Sequence, residues 1–148
     1  MSHRLIKFFV AAGALILQGV PLGFSQETDV GFRTPSNNIH CQLFVSTDSD
    51  QSYPPTLRCD VMVIQNRPPP RPADCDLEWG QAFELNENGS GRRICYGDTI
   101  MSQTLQILPY GSRWSEKGFT CLSETDGVAC TNKKGAGFKL SRSSQQVF

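Results

Sequence analysis

The stretch Gly118 to Asn132, G-F-T-C-L-S-E-T-D-G-V-A-C-T-N, restricts the fold more than any other. Glu124-Thr125-Asp126-Gly127 suits a type I turn closed by a glycine that tolerates positive φ. A hairpin on that turn sets Cys121 directly opposite Cys130. Phe119 and Cys121 then share a face with Val128 and Cys130, because strand side chains alternate. Turn chemistry, register and cysteine placement agree, so the two cysteines are expected to form a disulfide. The hairpin is a structural element and carries no catalytic chemistry.

A disulfide needs an oxidising compartment, and the N-terminus points to one. Arg4 and Lys7 precede the apolar run Phe8 to Leu17, and Gly23 and Ser25 occupy the −3 and −1 positions of a cleavage site. This is the layout of a secretory signal peptide over residues 1–25, leaving a single domain over 26–148. An uncleaved anchor is the rival reading, but the run is shorter than the roughly 20 residues of a span. No cysteine precedes Cys41, which excludes a lipid-modified N-terminal cysteine. Without Arg4 and Lys7 the fourteen Lys and Arg fall to twelve, against fourteen Asp and Glu. A mildly acidic domain has no basic excess to hold nucleic acid or an anionic membrane. All six cysteines follow the leader, and an even count in an exported chain implies a disulfide framework.

Ile39 to Val45 alternates, with Ile39, Cys41, Leu43 and Val45 on one face. Thr56 to Ile64 alternates again through Leu57, Cys59, Val61 and Val63. Setting Cys41 opposite Cys59 brings Leu43 to Leu57 and makes both apolar faces coincide, which supports a Cys41–Cys59 bridge. Arg67 to Pro72 is expected to be an extended polyproline connector. Trp79 to Leu85 and Arg92 to Tyr96 read as a third hairpin, with Leu85 opposite Arg92, Phe83 opposite Ile94 and Glu84 paired with Arg93. Cys75 pairs with Cys95 by elimination. Trp79 is read as core. Thr104 to Leu108 is a short strand, Ser112 to Lys117 an exposed loop, and Phe138 to Leu140 a last strand. No stretch after the leader shows helical apolar spacing. The expected fold is an all-β, disulfide-stabilised small sandwich or barrel of antiparallel hairpins.

F-R-T-P-S-N-N-I-H-C (Phe32 to Cys41), L-R-C-D (Leu57 to Asp60), C-Y-G-D-T (Cys95 to Thr99), L-P-Y-G (Leu108 to Gly111), G-F-T-C (Gly118 to Cys121), G-V-A-C-T-N (Gly127 to Asn132) and G-F-K-L-S-R (Gly137 to Arg142) follow one another in order. This ordered set resembles a family of small secreted bacterial proteins classed as a domain of unknown function. The resemblance implies an exported bacterial domain with paired cysteines, and brings no activity with it. It also implies a polar residue or histidine between the glycines of the last turn, where this chain has Ala136.

Candidate chemistry is sparse. His40 is the one histidine after the leader, on the strand face opposite the expected core. A Ser-His-Asp or Cys-His site would have to use it, and no nucleophile motif accompanies it. There is no C-x-x-C pair for zinc. Asp48-Ser49-Asp50-Gln51-Ser52 opens like a calcium loop but lacks the glycine and distal glutamate of an EF-hand. Asp98, Glu116 and Glu124 are available as carboxylates for glycoside hydrolysis. Asn88-Gly89-Ser90 matches a glycosylation acceptor, relevant only in a eukaryotic host. Tyr110, Arg113 and Trp114 form the most suggestive group, since aromatic residues and arginine on one loop are typical of contact surfaces.

The expectation is an exported periplasmic or extracellular monomer that acts as a non-catalytic binding module for an envelope or extracellular protein or glycan. It uses no cofactor or metal, binds no nucleic acid, and leaves the membrane once the signal is cleaved. The alternatives are a small hydrolase using carboxylates or His40, and a structural envelope domain.

Overall fold

The computed structural model describes residues 29–46 and 52–148. The signal segment and most of the acidic loop, residues 48–51, lie outside the described residues. Within them the chain is all-β, and no helix is long and apolar enough to cross a membrane. The strands are β1 (Gly31–Arg33), β2 (Ile39–Phe44), β3 (Thr56–Val61), β4 (Glu78–Asn86), β5 (Arg92–Tyr96), β6 (Gln106–Ile107), β7 (Arg113–Glu116), β8 (Phe119–Glu124), β9 (Gly127–Thr131), β10 (Gly137–Leu140) and β11 (Gln145–Val147). They form a six-stranded sheet, β5-β4-β3-β2-β1-β6, and a five-stranded sheet, β11-β10-β9-β8-β7. Neighbours are antiparallel except β1 and β6, which run parallel.

The sheets pack face to face as a sandwich. Phe32, Ile39, Cys41, Leu57, Cys59, Val61, Phe83 and Leu85 of the first meet Trp114, Phe119, Cys121, Val128, Cys130, Phe138 and Leu140 of the second. The Phe32 and Trp114 rings lie 5.4 Å apart and those of Phe83 and Phe138 6.4 Å apart. β7 therefore stacks over β1 and β10 over β4. Alternation in β2, β3, β8 and β9 supplies these inner faces, as period-two patterning requires.

Cys41 faces Cys59 and Cys121 faces Cys130 in the strand registers. Bridges join Cys41 to Cys59, Cys75 to Cys95 and Cys121 to Cys130. The β4–β5 register differs from the sequence reading by one residue. Ala82 faces Ile94, Phe83 faces Arg93 and Glu84 faces Arg92, with an irregularity between Trp79 and Ala82. The ion pair is accordingly Glu84–Arg92, at 2.6 Å. The connecting loop is rich in Asn and Gly and so leaves the register open; in the observed register Arg93 lies over Phe83, its guanidinium carbon 4.9 Å from the ring centre.

Ser112 to Lys117 is not a loop. Its Arg113–Glu116 portion is edge strand β7, joined to β8 by the two-residue turn Lys117-Gly118. Both turn residues have positive φ, 48° and 90°, as a type I′ hairpin demands. Trp79 is half-buried and absent from the core. Its indole N–H donates to the Pro69 carbonyl at 3.0 Å and clasps the proline-rich segment to β4.

Candidate functional site

Four separated segments meet in one open cleft of about 400 Å³ at an end of the sandwich. The β1–β2 turn supplies Thr34, Ser36, Asn38 and Ile39, and the loop before β7 supplies Tyr110. The β8–β9 turn adds Glu124 to Gly127, and the chain after β10 adds Arg142 and Ser143.

Local hydrogen bonding fixes these segments. The Ile39 amide donates to the Thr34 hydroxyl at 3.1 Å. Asn38 accepts from the Val63 amide at 2.9 Å and donates to the Val63 carbonyl at 3.2 Å, tying the turn to the chain after β3. Asn37 takes a φ of 58°, a conformation asparagine tolerates better than most residues. The Gly111 amide donates to the Ser123 carbonyl at 2.7 Å, docking the Tyr110 loop on β8. Thr34 and Asn38 are buried supports. Ser36, Tyr110, Thr125, Asp126, Arg142 and Ser143 are exposed around the cleft. Glu124 pairs with Lys139 at 3.4 Å.

The group Tyr110, Arg113 and Trp114 does not form one surface. Tyr110 is 43% exposed and lines the cleft. Arg113 is exposed on β7. Trp114, its neighbour on the alternating strand, turns inward opposite Cys121 and is 8% exposed. Strand alternation separates residues that a loop would have gathered.

His40 is fully buried, although it lies on the outer face of the first sheet. The connection from β5 to β6 covers it. The Ser102 amide donates to His40 Nδ1 at 3.3 Å, and Nε2 lies 3.2 Å from the Asn37 carbonyl. These partners fix the neutral tautomer that carries its proton on Nε2. Burial holds the imidazole below its ordinary value. Asp60 faces His40 across β2 and β3. Its buried carboxylate takes two bonds from Arg58, at 2.9 and 3.0 Å, and one from the Ile100 amide at 3.1 Å. Arg58 also donates to the Asp98 carbonyl at 2.7 Å. Asp98 is exposed on this cover and Glu116 is exposed on β7, so neither shares the cleft with Glu124.

Asn132 is a structural clamp. Its amide donates to the carbonyls of Asn86 and Gly89, and its oxygen accepts from the amides of Lys134 and Ala136. The Sγ atoms of Cys41, Cys59 and Cys130 cluster within 4.8 Å, and all three are in disulfides. Disulfide sulfurs are not the thiolates a metal requires.

Sequence reasoning singled out Tyr110 and Glu124 but missed Ser36, Asp126 and Arg142 as cleft neighbours. The available signal was the set of motifs: T-P-S-N-N-I, L-P-Y-G, the turn before G-V-A-C and L-S-R all end here.

Fold and site together define a disulfide-stapled β-sandwich domain with an open cleft at one end. The chain belongs to the family of unknown function DUF6636, whose model matches residues 12–148. No curated protein and no solved structure matches it.

Proposed function

We propose that this chain is an exported, non-catalytic binding module whose end cleft takes a segment of an envelope or extracellular glycan. Residues 1–25 serve as a cleaved signal peptide, and residues 26–148 act as a monomeric domain in the periplasm or outside the cell. The convergence of four segments on one open, hydroxyl- and amide-lined cleft carries this reading. Ser36, Thr125, Asp126, Arg142 and Ser143 offer donors and acceptors, and Tyr110 offers one exposed ring. A sugar presents hydroxyls for the former and an apolar face for the latter. Protein interfaces concentrate their energy in apolar, desolvated centres. Tyr110 and the buried Ile39 are the hydrophobic side chains of this lining, so it holds no cluster of large apolar anchors.

Glu124 and Asp126 in one cleft favour a second reading, glycoside hydrolysis. A general acid there needs an apolar, water-excluding setting. Glu124 instead lies beside the Lys139 ammonium in the open. Binding is therefore the better account, and release of reducing ends from cell-wall glycan, lost in Glu124→Gln, is the result that reverses this ranking.

The oxidised protein and a Tyr110→Ala/Asp126→Asn/Arg142→Ala variant are to be incubated with purified cell-wall glycan and, separately, with solubilised envelope proteins. Retention on glycan by the native chain and its loss in the variant support the proposal. Retention on an envelope protein alone replaces the ligand class. Equal behaviour of the two chains removes the cleft from the account.

A further inference from the structure

The cleft and the cover over the first sheet meet at one buried side chain. His40 Nδ1 accepts from the Ser102 amide of the cover, and Nε2–H donates to the Asn37 carbonyl of the turn that lines the cleft. Ser102 is 62 residues away in sequence, so this contact is one of the long-range ties that keep the cover down. The cover is also tied down by Ile100 N–H to Asp60, Arg58 to the Asp98 carbonyl and Arg33 Nε–H to the Leu105 carbonyl.

We propose that His40 is a proton-operated latch: neutral, it fastens the 98–105 cover to the sheet and braces the cleft turn; protonated, it releases both. Protonation adds a hydrogen to Nδ1, which then faces the Ser102 N–H. The hydrogen bond is lost and two donors oppose each other. The new charge is fully buried, which costs free energy unless it is paired. The charged groups around it do not supply a free partner. Arg33 on β1 repels it. Asp60 on β3 attracts it, but that carboxylate is already occupied by Arg58 and the Ile100 amide. Asp98 reaches the cluster through its main-chain carbonyl. Tyr96 stacks with Arg58, whose guanidinium carbon lies 5.5 Å from the ring centre.

The sign follows from linkage. Once the cover lifts, the imidazole regains its ordinary affinity for protons, with a pKa of about 6.5. The closed state binds protons less readily, so the latch is fully engaged above about pH 6.5 and is lost as pH falls towards the closed-state value. Cover opening rises about tenfold per pH unit through that window. The link to the cleft rests on the binding proposal above; the latch over the sheet does not.

The test needs no ligand. Amide hydrogen exchange, corrected for its intrinsic pH dependence, is measured at Ser102 and Ile100 and divided by exchange at Cys121 in β8, from about pH 7.5 to about pH 5. The ratio is expected to climb in the native protein. It is expected to stay flat in His40→Gln, whose amide can make both bonds without titrating. Nitrogen-15 NMR of the native protein gives a second reading, independent of any variant. It is expected to show the Nε2–H tautomer at neutral pH, with the Ser102 amide shifting at the imidazole midpoint. A flat native ratio, or a Ser102 amide indifferent to that midpoint, overturns the latch. If Ser102 follows the midpoint and Asn38 and Ser36 do not, the bracing of the cleft is refuted while the latch over the sheet stands.

Discussion

Cys41 and Cys130 belong to different sheets and different bridges, yet their sulfurs lie within 4.8 Å of each other, with Cys59 in the same cluster. Two cross-strand disulfides thus stack at the centre of the sandwich. Each staples a hairpin, and together they fill space between the sheets.

Cys121→Ala/Cys130→Ala frees a loop with a sequence separation of 9. The expected loss is about 3 kcal/mol of unfolding free energy, read by denaturant titration. Non-reducing peptide mapping of the native protein is expected to link Cys121 to Cys130, and any other partner contradicts the β8–β9 register.

Trp114 packs against Phe32 in the sandwich core. Trp114→Ala is expected to cost about 3–5 kcal/mol, and Trp114→Phe less, because only the former leaves a large cavity. Equal midpoints for the two variants in a denaturant series would place this side chain outside the core.

Gly127 has a φ of 153°, and a Cβ there would overlap the Leu140 carbonyl. Gly111 has a φ of 79° with open space around it. Gly127→Ala is expected to cost about 2–3 kcal/mol and Gly111→Ala about 1 kcal/mol. Thermal unfolding of the pair separates close approach from backbone strain.

Asp60 is 1% exposed and Arg58 16%. Asp60→Ala strands the guanidinium and the Ile100 amide, at an expected cost of about 3 kcal/mol, the lower end for a buried pair because Arg58 keeps some solvent. The amide signals of Ile100 and Ser102 are expected to change most, since both lie on the cover.

The hairpins around Cys41–Cys59 and Cys121–Cys130 were legible in the sequence because apolar alternation and cysteine position demanded the same register. The β4–β5 hairpin slipped by one residue because its Asn- and Gly-rich loop imposes no register of its own. β7 was hidden by its turn: Lys117 at a φ of 48° is an uncommon residue for that position, so Lys117-Gly118 did not read as a hairpin. The burial of His40 depends on a cover 62 residues downstream, which no local pattern reports. The cleft was legible only in pieces. Tyr110 and Glu124 stood out singly, but their meeting with Ser36 and Arg142 is set by the stacking of the two sheets.

The most direct test of the central claim is a nitrogen-15 NMR titration of the oxidised protein with soluble cell-wall glycan fragments. The account predicts saturable shifts at Ser36, Asn38, Tyr110, Asp126 and Arg142, with Arg71 and Trp79 on the proline-clasped side unmoved. Shifts centred on Trp79, or none anywhere at millimolar glycan, would contradict it.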